Sequence, residues 1–217
     1  MNRIYVCNGN NYDSYSEVSE YPNLKVSFQG DNNSIFISSS FAIKGHMRIV
    51  CHNNQKVVIK DRCWAESPVF YMQGNNNYLE IGEHTSIRNL SVLFGDEENL
   101  SCEIGNDCMF GGECVIRVSD AHTIYDVISK EIINSPTGIK IGDHVWIAQS
   151  VFIAKNVVIP KNCVVGAHSV VTKRFEEENA IIAGVPAKVV KRNITWDRRS
   201  IRMFKSSRVV KEKKNEK

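Results

Sequence analysis

The stretch IGDHVWIAQSVFIAKNVVIPKNCVVGAHSVV, residues 141–171, decides the fold. Ile141, Ile147, Ile153, Ile159, Val165 and Val171 stand six residues apart without a slip. Four positions after each of the first five come Val145, Val151, Val157, Cys163 and Ser169, all small or β-branched. A six-residue apolar period fits neither the 3.6-residue repeat of a helix nor the two-residue alternation of a strand. It fits a triangular prism, in which three six-residue sides make one coil and each inward Ile or Val stacks on its counterpart in the next. Successive coils are then parallel strands about 4.8 Å apart, each stabilised mainly by its neighbours.

Upstream the same module recurs at a longer interval. GDNNSIFISSSFAI, HNNQKVVIKDRCWA, GNNNYLEIGEHTSI and ENLSCEIGNDCMF bring Ile37, Ile59, Ile81 and Ile104 into register at spacings of 22, 22 and 23. Six residues further on stand Ile43, Ala65, Ile87 and Phe110, with Ile116 after the last. Each upstream coil therefore carries about four extra residues, and the Asn-rich segments lie where they must be accommodated. Asn and Gly tolerate the left-handed backbone that a tight corner demands. The spacing predicts roughly seven coils. Residues 1–28 match no part of the repeat and are read as a cap over the first coil.

The bulk numbers agree with a folded, water-facing chain. Hydrophobic residues make up 42% of 217, enough for a sizeable core, and no run approaches the roughly 20 apolar residues of a membrane helix. The start MNRIYVCNGNN turns polar by residue 8, which reads as no secretory segment and an expected cytoplasmic location. The seven cysteines form no Cys-x-x-Cys pair, and Cys63, Cys108, Cys114 and Cys163 occupy the small position of the repeat. They are read as buried, reduced thiols used as small hydrophobes rather than as disulfides or a zinc site. Between Lys188 and Lys217 twelve Lys/Arg face three Asp/Glu, +9, which leaves the first 187 residues at −6. A basic tail on a mildly acidic body points to an anionic partner, or to no more than a solvated terminus.

A solenoid alone implies no activity; the interruption does. Between Ile116 and Ile141 the period breaks for about 25 residues, RVSDAHTIYDVISKEIINSPTGIK. Long excursions from a rigid scaffold are common places for binding and catalysis.

The excursion opens with Ser119-Asp120-Ala121-His122, and here the sequence resembles the hexapeptide-repeat acyltransferases, in particular sugar and polysaccharide O-acetyltransferases. Three further motifs carry the resemblance in order: Ile141-Gly142-Asp143-His144-Val145-Trp146-Ile147-Ala148, Gly166-Ala167-His168-Ser169-Val170-Val171-Thr172-Lys173 and Ala183-Gly184-Val185-Pro186-Ala187-Lys188. Within that family the Asn-rich coils, DAHTIYD and the ending NITW most resemble capsular polysialic acid O-acetyltransferases. The resemblance supplies the hand of the coil, giving an all-β, left-handed parallel β-helix. One domain is expected over residues 1–195, with the loop at about 117–140 and a basic tail at 196–217.

The family's reaction moves an acetyl group from acetyl-CoA to a sugar hydroxyl, possible only if a base takes the hydroxyl proton as attack begins. His122 is the candidate base, because imidazole titrates nearest the working pH. Asp120 is expected to orient the ring or stabilise its charged form. The resemblance implies that Trp146 lines the acceptor or thioester pocket beside His122, and that Tyr125 contacts the acceptor. It further implies that Ala148 and Ala167 let the pantetheine arm lie along the coil edge. Lys173, Lys188 and Lys191 would neutralise phosphates, and Pro186 would pack on adenine. It makes the protein a homotrimer with the site between subunits, and it calls for no metal, nucleic acid or membrane span. The other histidines, at 46, 52, 84, 144 and 168, are read as structural. Ala148 and His168 replace family glycines and Ala154-Lys155-Asn156 replaces Leu-Pro-Gly, which puts local corner geometry in doubt.

Three other readings make different demands on the sequence. A carbonic anhydrase on the same prism needs a His-x-x-x-x-His pair, and no two histidines here are five apart. A non-catalytic scaffold needs neither the Ser-Asp-x-His loop nor the Ala-Gly-x-Pro-Ala-Lys ending. Transfer to the amine of a nucleotide sugar makes the same demand for a base, and stays open.

Overall fold

The computed structural model describes residues 1–7 and 14–207. Among these, three sheets of eight, eight and seven strands form the faces of a prism, and from Ser34 to Val171 the chain visits them in the same order on each coil. The first face runs through Arg3–Cys7, Ser34–Ser38, Lys56–Ile59, Tyr78–Ile81, Ser101–Ile104, Ile139–Ile141 and Val158–Ile159. The second face holds pairs such as Ser86–Ile87, Met109–Phe110 and Trp146–Ile147, and the third strands such as Leu90–Leu93, Cys114–Arg117 and Phe152–Ile153. The seven strands of the third face match the number of coils read from the repeat.

The register is the one the sequence spacing demands. Ile37, Ile59, Ile81, Ile104, Ile141 and Ile159 pair successively along the first face. Ile43, Ala65, Ile87, Phe110, Ile147, Val165 and Ile182 do so along the second. Both ladders are buried, and with Ile49, Phe70, Val92, Ile116, Ile153 and Val171 of the third they fill the prism. Burying each such side chain stabilises by about 1.5–3 kcal/mol, which is why the period cannot slip: a one-residue shift would turn every ladder residue to solvent. All seven cysteines are free and buried. Burial pushes the Cys51, Cys102 and Cys108 thiols up to about 12, so they pack as apolar groups.

The extra residues of the upstream coils gather at the corner between the third and first faces. Asn32, Asn54, Asn76 and Asn99 all take left-handed backbone there, with φ between 53° and 60°. The side chains at this corner form ladders of amides: Asn53 Nδ2 donates to Asn75 Oδ1 (3.1 Å) and Asn76 Nδ2 to Asn99 Oδ1 (3.2 Å). Asn33 and Asn77 accept the main-chain N–H of Gln55 and Leu100 in the next coil, each at 2.8 Å.

Residues 1–28 do more than cap. Arg3–Cys7 and Leu24–Phe28 are strands of the first coil, with Ile4 and Val6 in register with Ile35 and Ile37. Only Tyr15–Val18, antiparallel on the outer edge, closes the sheet. At the other end Ala187–Lys191 turns back antiparallel on Ile181–Gly184. Among the described residues, no helix is long and apolar enough to cross a membrane.

Candidate active site

The excursion leaves the prism at the corner where the third face hands over to the first. It departs after Cys114–Arg117 and returns at Ile139–Ile141, so it spans one corner of one coil. Gly138 closes the return: its φ is +92° and a Cβ there would sit 2.6 Å from the Ser101 carbonyl oxygen. Only glycine lets the chain rejoin the sheet this closely.

The Ser119–His122 turn is built tightly. Ser119 is buried and its hydroxyl accepts the Ala121 N–H (2.8 Å), holding Ala121 at φ 63°. Asp120 faces back toward the scaffold, where its carboxylate pairs with the Lys155 ammonium and accepts from Asn134 Nδ2 at 3.0 Å. Lys155, foremost, holds the Asp120 carboxyl below the usual carboxylate range, with Asn134 acting in the same direction. Asn134 also donates to the His122 carbonyl (2.8 Å) and accepts the Ile124 N–H (2.8 Å). The main chain of His122 is thereby fixed, while its side chain projects into solvent. Among the described residues the imidazole takes no hydrogen bond, and the Asp120 carboxylate is engaged by Lys155 of the next coil and Asn134 of the loop rather than by the ring.

Neither Asn134 nor Lys155 was singled out by the motif. Lys155 and Asn156 belong to the corner that replaces Leu-Pro-Gly. Asn156 Oδ1 accepts from Thr137 N (2.6 Å), and its Nδ2 donates to Ser135 O (3.2 Å). The coil after the excursion thus grips both its feet. Beyond Asp120 the loop is a small hairpin, bridged at Tyr125 and Ile132 and turned on Asp126, which accepts the N–H groups of Ile128 and Ser129. It leaves Ile124, Tyr125, Val127, Ile128, Ile132 and Ile133 exposed.

The residues expected to hold the donor stand elsewhere. At the corner between the second and third faces, Gly111, Ala148, Gly166 and Ala183 follow one another from coil to coil, tied by main-chain bonds of 2.8–3.0 Å. A Cβ on Gly111 would meet the Gln149 main chain at 2.8 Å, so this edge is necessarily narrow. Ala167 is exposed beside it, and His168 takes the left-handed corner at φ 55° that a glycine would take more cheaply. Pro186 lies at the exposed tip of the last hairpin, with Lys188 opposite Ala183 and Lys191 opposite Ile181. Lys173 lies over the Phe175 ring at 5.5 Å.

Trp146 points outward from the second face, 36% exposed, and its ring centroid is 6.0 Å from that of Trp196. Trp196 belongs to a C-terminal strap that folds back on the same face. It stacks on His144 (4.3 Å, 10°) and donates from Nε1 to the His144 carbonyl (2.8 Å). Arg198 then bonds Asp107 Oδ1 (2.8 Å), Ser86 Oγ (2.7 Å) and the carbonyls of His84 and Cys108 (2.9 and 2.7 Å). The residues from 208 onward, with five of the twelve Lys/Arg of the basic run, lie outside the described residues. Within one chain the structure joins His122, Asp120, Asn134 and Lys155 at one corner. It joins Trp146 and the small-residue edge on another side of the prism. It does not bring these two groups together.

A three-sided parallel solenoid of six-residue sides, broken once by a loop that presents a lone imidazole, defines the class. The chain belongs to the hexapeptide-repeat acyltransferase family, the left-handed parallel β-helices: residues 138–173 match the family described as bacterial transferase hexapeptide (six repeats). More particularly, it is 36% identical over 192 residues to a polysialic acid O-acetyltransferase of Neisseria meningitidis, spanning 79% of this chain and 88% of that one. It is 42% identical over 118 residues to a polysialic acid O-acetyltransferase of Escherichia coli O1:K1 / APEC, 54% of this chain but only 38% of the length of that relative. Among solved structures it is similar to the polySia-specific acetyltransferase NeuO, with a TM-score of 0.74 and 28% identity over 91% of this chain and 86% of the other.

Proposed function

We propose that this protein transfers an acetyl group from acetyl-CoA to a hydroxyl of an acidic capsular polysaccharide, with His122 as general base. One observation carries the reading: the loop is fastened by Lys155, Asn134 and Asn156 so that the His122 main chain is fixed while its imidazole has no hydrogen-bond partner among the described residues. A ring carried on fixed backbone and kept free is what a base must be before substrate arrives. As the sugar oxygen attacks the thioester carbonyl carbon, the imidazole takes the hydroxyl proton; the carbon–sulfur bond breaks and the proton passes to the departing thiolate. Asp120 serves by holding the loop. The names of the relatives, polysialic acid O-acetyltransferases, support the choice of acceptor.

The donor arm runs along the Gly111–Ala148–Gly166–Ala183 edge, where small side chains leave main-chain groups accessible. Trp146 and Tyr125 flank the acceptor, Ala167 lies beside the arm, Pro186 packs on adenine, and Lys173, Lys188 and Lys191 meet the phosphates. Because this edge and His122 occupy different sides of one prism, a complete site needs two chains. Three copies around one axis satisfy every edge at once, and the exposed apolar residues of the hairpin gain a neighbour to cover them.

The test is His122→Ala. It is expected to lose about 10²- to 10⁴-fold in kcat with CoA affinity unchanged, acetylation being read by mass spectrometry of the glycan. Turnover near that of the wild type would refute the assignment.

A further inference from the structure

The first face carries a second concavity, on the coils before the loop. An open groove of about 440 Å³ crosses its early coils, lined by Tyr15, Phe36, Lys56, Val58, Lys60, Tyr78 and Glu80. That volume is in the range of built ligand sites. Three observations make it more than a dent. Its wall is aromatic and preassembled: Tyr5 stacks on Phe36 at 4.8 Å and Tyr15 packs edge-on against both, at 4.6 and 5.7 Å. Its acid is already neutralised, since Glu80 pairs with Lys60 at 2.6 Å and also meets the Tyr78 hydroxyl. A second cation faces the same acid: Lys56 stands between two rings, 5.6 Å from that of Phe36 and 5.8 Å from that of Tyr78, and helps hold the Glu80 carboxyl down, but makes no close ion pair among the described residues, so two ammoniums meet one carboxylate.

Flat rings and one ammonium in excess of the carboxylate, open to solvent along a straight face, suit a particular chemistry. A pyranose offers a CH-lined apolar face to an aromatic ring, and an acidic sugar adds a carboxylate for the lysine. A nucleotide would ask for phosphate-binding main-chain N–H groups, which a regular parallel sheet has already spent on its ladder. The strand bearing Tyr78 is two steps from Ile139–Ile141, where the loop rejoins the same face. At about 4.8 Å per step an extended polymer covers that distance easily.

We propose that this groove is a second, non-catalytic binding site for the acidic polysaccharide, which holds the chain while a distant residue of the same polymer is presented at the loop. This rests on the acceptor reading given above. Two attachment points on one polymer raise the effective concentration of acceptor at the base, so the groove favours long chains and is silent toward short ones.

The experiment uses the full chain and size-fractionated polysialic acid, a long fraction and a trimer, with a neutral dextran of matched length as control. Binding is measured without acetyl-CoA, and transfer with it, for the wild type, Lys56→Glu and Tyr78→Ala. The expected result is that Lys56→Glu weakens binding of the long fraction about tenfold and raises its KM by a similar factor. Transfer to the trimer and the thermal midpoint should stay at wild-type values; Tyr78→Ala acts in the same direction. Equal binding of the long fraction by wild type and both variants, with transfer intact, overturns the groove and leaves the acceptor reading standing. Dextran binding as tight as that of polysialic acid overturns the assignment to an acidic glycan. No transfer to any acidic polysaccharide by the wild type overturns the acceptor reading, and the groove's ligand with it.

Discussion

Replacing Lys155 by Met keeps the aliphatic stem and removes the ammonium that ties the loop to the coil below. The pair it breaks is partly sheltered, the Lys155 side chain being 20% exposed and that of Asp120 37%. A hydrogen bond to a charged group stabilises by about 1.5–3 kcal/mol, and solvent screening at this exposure reduces that to about 1–2 kcal/mol. Asn134 and Asn156 remain as ties, so the loop is loosened rather than lost. At about 1.4 kcal/mol per factor of ten, kcat/KM should fall about 5- to 30-fold, well short of the loss expected for His122→Ala. Hydrogen exchange at residues 119–124 should rise while that of the ladder strands stays unchanged. The same pair sets a pH dependence. The folded Asp120 carboxyl titrates below its unfolded range, so its contribution is complete above that range and is lost only as pH falls through the lowered value. The tie is therefore intact at neutral pH, and an acid-side loss of loop protection should vanish in Lys155→Met. Transfer within twofold of wild type, with exchange at the loop unaltered, would refute the view that the pin positions the base.

Phe110→Ala removes a fully buried ring stacked between Ile87 and Ile147, and should cost about 3–5 kcal/mol, read as a lowered midpoint in urea. Arg198→Met strips the strap of its bonds to Asp107, Ser86 and two carbonyls; Trp196 emission should shift to the red and the C-terminus become cleavable by protease, while the ladder strands keep their exchange protection. Deleting residues 200–217 removes most of the basic run, and should raise the KM for an anionic substrate at low salt and little at high salt; a KM unchanged at low salt would leave the run without that role.

The division between what could be read and what could not follows from how each contact is encoded. Inward Ile, Val and Cys stack only on their counterparts one coil away, so a nearest-neighbour steric rule prints itself on the chain as a period. That period alone determined the prism, its register, the Asn corners and the place where it is interrupted, and the Ser-Asp-x-His motif marked the imidazole within the interruption. Outward polar contacts obey no such rule. Asn134 meets Asp120 across 14 residues, Lys155 meets it across 35, and Arg198 meets Asp107 across 91; no spacing announces any of them. Only the folded chain could decide that Ala154-Lys155-Asn156, which looks like a damaged corner, is the anchor of the loop, that NITW belongs to a strap locked on the second face, and that His122 and Trp146 stand on different sides of one prism. The reason is geometric: six-residue sides settle which way a side chain points, while what it meets there depends on where distant segments are laid against the outside of the coil.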